Sequence, residues 1–337
     1  LSVSVFRANC FERIFFTHEC ASFILPAEKM QGEIALMRIL WILSDGKRGH
    51  ENQSLGLAEA LGRLQPWSPH LVELPHGESL LKHFSRLRDA IALLPRPEIV
   101  IAAGHSTHLL LLYTGWATGA RTVLLMKPSL PCRWFDFCFI PKHDLKPHTR
   151  LEKARGILTV GAINRMRYDP TVKDGSVILL VGGPSRAYDW DADELLEQVV
   201  AVVRAEPERR WRITNSPRTP AGFLPAVKAA LPEVEVFPVE STSPDWLTHA
   251  LGAAEFAWVS EDSVSMIYEA LTAGAKVGVL AMPSRGSGSK HSRGLAELSN
   301  SNQIVTYSEW RKNPRLLQVA TPLAEADRCA RYLIGKL

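Results

Sequence analysis

The sequence predicts an α/β protein made of two doubly wound domains facing one another across a cleft. Three observations carry this expectation. From residue 37 onward, short β-rich runs alternate with helical stretches, the pattern of parallel sheets with helices on both faces. The alternation occurs twice, each time opening on an apolar run and a Gly-rich turn: Ile39–Leu43 before Ser44–Gly49, and Val177–Val181 before Gly182–Ser185. The chain has 337 residues, which at roughly 150 residues per domain suits two domains.

In the first series, the strand over Ile39–Leu43 is followed by a helix over Glu51–Arg63, with Leu55, Ala58 and Leu61 near helical spacing. His70–Leu74 reads as a second strand. Ser79–Leu94 reads as a helix with Leu80, Leu81, Phe84, Leu87 and Ile91 on one side. Strands are expected at Glu98–Ala103, Arg121–Met126, Phe137–Ile140 and Ile157–Val160, with a helix after Gly104. The second series predicts strands at Val177–Val181, Trp211–Thr214, Glu235–Phe237, Phe256–Val259, Val277–Leu280 and Gln303–Val305. Helices are expected over Ala192–Ala205, Ala221–Leu231 and Val264–Ala273, and a last one over Pro322–Ile334. The expected division is 37–165 and 166–337, with the terminal helix in the second part. Residues 1–36 lack a steady period and precede a complete first strand. They are read as an upstream or non-native extension that packs little, with Met37 as the natural start.

Hydrophobic residues make up 46% of the chain and charged residues 22%, which excludes a disordered protein. The net charge of +4 is spread along the chain, without the basic stripe of a nucleic-acid binder. The apolar run at Leu109–Leu112 is cut short by Gly115, Gly119 and Arg121, so no segment reads as a membrane span. Five cysteines without CxxC spacing argue against a disulfide framework or structural zinc and fit a reducing, cytoplasmic setting.

Ligands of doubly wound sheets sit beyond the carboxyl ends of the strands, so the loops there hold the candidates. Ser44-Asp-Gly-Lys-Arg-Gly-His50 matches neither the triphosphate loop nor the dinucleotide fingerprint. Its Gly46 and Gly49 permit close backbone approach, and His50 at the helix mouth could act as a base. A capping turn with a surface histidine explains the same residues. Gly182-Gly-Pro-Ser-Arg186 and Thr214-Asn-Ser-Pro-Arg-Thr219 could hold phosphate or ribose, or serve as plain polar turns. Ser260-Glu-Asp-Ser-Val-Ser265 opens a helix whose amides and dipole favour an anion, with Glu269 further along it. A well-capped helix is the structural alternative. Gly104-His-Ser-Thr-His108 approaches a nucleophile elbow but ends in His. His105 and Ser106 are read as contacts to a second substrate, or as helix caps.

Three stretches carry a family resemblance: Trp41–Ala58, Ile213–Pro220 and Val259–Ile267. They resemble bacterial relatives of the plant mitochondrial-fission "elongated mitochondria" family, over most of residues 37–335. Bacterial members are often labelled nucleoside-diphosphate-sugar epimerases. The resemblance implies two Rossmann-like domains of the glycosyltransferase B type. A looser similarity is to the lipid-linked N-acetylglucosaminyltransferase of peptidoglycan synthesis. Arg48-Gly49-His50 stands at that family's Gly-Gly-His turn, Gly182-Gly183-Pro184-Ser185 at its Gly-Gly-Ser turn, and Glu269 at its ribose-binding Glu. Glu261-Asp262-Ser263 replaces that family's Arg-Ala-Gly or Arg-Ser-Gly turn.

These resemblances imply a nucleotide-sugar-dependent glycosyltransferase acting on an envelope or lipid-linked acceptor. His50 and Asp45 are the catalytic candidates. Gly183, Ser185, Arg218, Ser263, Ser265, Glu269 and Lys290 are the donor-binding candidates, with Gly49, His105 and Ser106 on the acceptor side. The nucleotide-sugar is substrate, and neither cofactor nor metal is expected. Peripheral contact with the inner membrane is expected too. Two alternatives stay open: a nucleoside-diphosphate-sugar 2-epimerase using His105, Asp45 or Glu261, and a non-catalytic scaffold for membrane-remodelling partners.

Overall fold

The computed structural model describes residues 37–145, 156–243, 245–286, 290–314 and 321–337, without the side chains of Lys290 and His291. The expectations for residues 1–36 and for the Lys290 side chain therefore lie outside the described residues. Residues Arg38–Leu337 form one compact unit containing two parallel sheets.

The first sheet uses β1 (Arg38–Ser44), β2 (Trp67–Glu73), β3 (Ile99–Ala103), β4 (Arg121–Leu125), β5 (Phe137–Pro141) and β6 (Gly156–Thr159), in the order β2-β1-β3-β4-β5-β6. The second uses β7 (Val177–Val181), β8 (Trp211–Asn215), β9 (Glu235–Phe237), β10 (Phe256–Ser260), β11 (Lys276–Leu280) and β12 (Ile304–Thr306), in the order β12-β11-β10-β7-β8-β9. The central strands β3, β7 and β10 are buried along their whole length. Both faces of each sheet are covered by apolar clusters, which is why these strands read as unbroken apolar runs. Strand β2 begins at Trp67, ahead of the expected His70. Trp67 is buried against the first sheet, and Pro69 is tolerated because β2 is an edge strand.

The helices are α1 (Arg48–Leu64), α2 (Leu80–Leu93), α3 (His108–Thr118), α4 (Ala192–Ala205), α5 (Phe223–Ala230), α6 (Trp246–Ala253), α7 (Val264–Thr272), α8 (Lys290–Asn300), α9 (Tyr307–Lys312) and α10 (Glu325–Ile334). Helix α4 shows how local chemistry sets an end. The Asp191 carboxylate accepts the Glu194 amide at 3.0 Å, and Asp193 and Glu194 complement the positive end of the helix.

The connection from β6 to β7 is wedged between the two halves. A Cβ on Gly56 of α1 would strike the Asn164 carbonyl. The Asn164 side chain donates to Thr272 Oγ1 of α7 at 3.1 Å, and Arg165 pairs with Glu59 of α1 at 2.7 Å. Helix α7 also lies on the loops after β5 and β6. Its Tyr268 stacks on His143, with ring centroids 5.7 Å apart, and leaves no room for a side chain at Gly161. The helix that follows β10 thus rests on the carboxyl edge of the first sheet.

The terminal helix corrects one expectation. Instead of staying with residues 166–337, α10 packs on α1: Ala326, Cys329, Ala330 and Leu333 are buried in one cluster with Leu57 and Leu61. Glu325 accepts the Val160 amide at 3.0 Å, and Arg328 donates to the Leu158 carbonyl at 2.6 Å. The face needed an apolar partner, and α1 supplies it.

Candidate functional site

The order of the first sheet reverses between β1 and β3, so the loops after these strands diverge and open a crevice. Asp45 follows β1 and is buried. The His50 Nδ1 lies 3.0 Å from its Oδ2, the Ser106 hydroxyl donates to it at 2.9 Å, and the Lys47 amide donates to Oδ1 at 3.2 Å. Burial works to raise the Asp45 carboxyl, but the hydrogen bonds from Ser106 and His50 outweigh it and hold the group below its ordinary value. An ionised carboxylate only accepts, so His50 presents an N–H at Nδ1 to Asp45. Nε2 has no hydrogen-bond partner among the described residues.

Gly104 makes this geometry possible. Its φ of +89° suits glycine, and a Cβ there would collide with the His50 ring. Thus Asp45, His50 and Ser106, from two loops, come together. Ser106 bonds to the aspartate and not to the imidazole, so the three do not form a serine-nucleophile relay. Gly49 is exposed with nothing near its Cα side. His105 is exposed and stands edge-on to His108, with centroids 6.4 Å apart. His108 itself is a core residue. Burial pushes its imidazole down to about 4, and Nδ1 lies 2.9 Å from Ser129 Oγ. A cavity of about 200 Å3 adjoins the group, lined in part by Asp45, Ser106, Leu80 and His83.

The second sheet reverses between β7 and β10, which brings the Gly182 and Ser260 loops together. The hub here is Asp262, which sequence reasoning placed only within a turn. Its carboxylate accepts the Gly183 amide at 3.0 Å, the Ser260 hydroxyl at 2.7 Å and the Ser263 hydroxyl at 3.2 Å. It also pairs with Arg218 at 2.8 Å. Gly182 must be glycine, since a Cβ would enter the Asp262 carboxylate. The Gly183 amide and Arg218, expected to face a diphosphate, are therefore engaged internally. The signal for this lay in the replacement of a basic turn by Glu261-Asp262-Ser263.

Because Ser263 turns to Asp262, helix α7 has no side-chain cap. The amides of its first turn, Val264 to Met266, are left for a ligand or water, and Ser265 is exposed beside them. Ser185 instead shapes its own loop, its Oγ accepting the Ala187 and Tyr188 amides at 3.2 and 3.1 Å. Glu269 is half-buried on α7 with no hydrogen-bond or ion-pair partner among the described residues, and burial pushes its carboxyl up to about 7. Glu261 is also raised by burial, despite accepting the Met282 amide and the Tyr188 hydroxyl at 3.3 Å each.

Two doubly wound parallel halves, each with its ligand end at a switch point, define the glycosyltransferase B class of fold, shared by glycosyltransferases and nucleotide-sugar epimerases. Residues 48–337 match the mitochondrial fission ELM1 family, and the chain belongs to it. Among solved structures it is similar to a Listeria monocytogenes protein assigned as a UDP-N-acetylglucosamine 2-epimerase, with TM-score 0.59, 12% identity and 89% and 95% of the two chains covered. S. aureus MnaA, solved with UDP, gives TM-score 0.55 and 12% identity over 88% and 95%. MurG of Acinetobacter baumannii gives 0.50 and 15% over 89% and 100%. At these identities the likeness is one of fold. No curated protein matches the chain in sequence.

Proposed function

We propose that the protein is a nucleotide-sugar-dependent glycosyltransferase, with donor on the second half and acceptor on the first. The observation that carries this is the Asp45–His50 pair, set at a switch point with Nδ1 held by the carboxylate and Nε2 without a hydrogen-bond partner among the described residues. Asp45 fixes the tautomer and stabilises the imidazolium. His50 takes the proton of an acceptor hydroxyl as that oxygen attacks the anomeric carbon, and the nucleoside diphosphate leaves. The leaving diphosphate meets the uncapped amides of α7, which act without reorganisation as charge develops. Glu269, once ionised, accepts the two ribose hydroxyls. Gly183 and Arg218 support the donor loop through Asp262, in place of the direct contacts expected of them. Ser265 lies where it can reach a phosphate oxygen. Lys290 opens α8, and a role for it rests on the sequence alone.

A 2-epimerase is the second reading. It is supported by Glu261, whose carboxyl burial raises above its ordinary value, and by structural neighbours named as such enzymes. Incubation with uridine-diphosphate sugars decides between the readings. Release of the diphosphate only when a hydroxyl acceptor is added supports transfer. An epimer appearing without acceptor supports epimerisation. Failure of any nucleoside diphosphate to bind would sink both and favour a scaffold.

A further inference from the structure

Helix α3 has no charged residue, and its solvent side is apolar. Leu109 is 52% exposed and Trp116 84%, with Leu112 and Tyr113 between them on the same stripe. The outer face of α4, on the second sheet, presents Asp193, Glu194, Glu197 and Arg204 instead. A helix covering a sheet needs only one apolar face, so the second face of α3 is unexplained by folding.

The apolar surface extends to both sides. Phe84 of α2 meets Tyr113 edge-on, with centroids 5.0 Å apart, which brings α2 alongside α3. Leu81 of α2 is 83% exposed, and Arg88 lies two turns further along the same stripe. On the opposite flank Trp134, 52% exposed, lines a groove of about 450 Å3 together with Trp116. The patch also reaches the crevice, because Leu80 lines one cavity with Asp45 and Ser106.

We propose that this face docks on the surface of an anionic phospholipid bilayer. Exposed tryptophans beside leucines suit the headgroup boundary, where an amphipathic ring has its apolar body in hydrocarbon and its N–H in water. Charge complementarity selects the occupant. Arg88 and Arg133 are exposed on the flanking elements and have no ion pair among the described residues. Each would meet lipid phosphate on a bilayer. A second copy of the chain is a poorer occupant, since a two-fold contact over this face would set its cations against their own copies. No helix among the described residues is long and apolar enough to cross a membrane, so contact would be peripheral. The proposal stands independently of the transferase reading, because docking needs no donor.

The test is co-sedimentation of the full chain with phosphatidylcholine vesicles, with and without phosphatidylglycerol. Binding is expected with phosphatidylglycerol, weaker without it, and reduced by salt. The double substitution Leu81→Glu with Trp116→Glu should weaken binding by roughly 10-fold or more. Val172→Glu, an exposed apolar position after β6, should not change it. Both positions in the double substitution are open to solvent, so melting temperature should hold. The proposal is overturned by absence of wild-type binding, or by binding that the double substitution leaves intact. A wild-type dimer that this substitution turns into monomer, without lipid binding, would assign the face to self-association instead.

Discussion

Arg218 lies 2.8 Å from the carboxylate of Asp262, whose side chain is fully buried while that of Arg218 is 44% exposed. The carboxylate thus sits at a junction of three loops, satisfied by a guanidinium, a backbone amide and two hydroxyls. Such a group is costly to bury without its partners.

Asp262→Ala should therefore lower stability by about 2–4 kcal/mol, since it strands the Gly183 amide and the Ser260 and Ser263 hydroxyls at once. Arg218→Ala should cost less, because three donors still reach the carboxylate. Urea unfolding of the two variants measures the order, and an equal or reversed order would show that the guanidinium is the main support.

His50→Ala should lower turnover by roughly 100-fold or more, with little change in donor affinity. Asp45→Asn should act through the tautomer: an amide can donate to Nδ1, which moves the proton to Nε2 and removes the base. Its turnover should fall comparably. Turnover equal to wild type in both variants would leave the pair as a helix-entry device.

Glu269 gives a pH dependence of known sign. Its carboxyl has an ordinary value of 4.5 and is pushed up to about 7 in the folded chain. Between these values the unfolded chain has lost the proton and the folded chain keeps it, so stability falls as pH rises through this window. Above it, Glu269→Gln should be more stable than wild type without ligand, by about 1–3 kcal/mol. Melting curves across the window test this, and parallel curves would show that burial does not act on the group.

The same carboxylate must be ionised to accept ribose hydroxyls. Wild-type affinity for uridine diphosphate should therefore strengthen as pH passes about 7, whereas Glu269→Gln should bind roughly 10- to 100-fold more weakly and without that rise. Calorimetric titration provides the comparison. A variant that binds as tightly as wild type removes Glu269 from the donor site.

Leu333 reports on the terminal helix. It is fully buried against α1, so Leu333→Ala should cost about 2–4 kcal/mol. Thermal unfolding followed by circular dichroism checks it. A change below about 0.5 kcal/mol, the range of surface substitutions, would mean that α10 is not part of the core.

The sequence by itself determined the two series of strands and helices. A strand such as Val177–Val181 is an unbroken apolar run because it is buried on both faces, and that requirement is written locally. It also named the loops after the strands as candidates, since ligand ends follow strands, and within one loop it named both Asp45 and His50, whose pairing the structure shows. The helices α6, α8 and α9 were not expected from it; α6 and α9 are brief segments that carry too little periodicity to stand out. Tertiary structure decided the rest. Ser106 joins Asp45 across 61 residues, and Asp262 takes the Gly183 amide across 79, because strand order places distant loops side by side. The same holds for α10, whose apolar face was visible in the sequence but whose partner was not. A period marks which residues seek burial; only the closed chain determines what they are buried against.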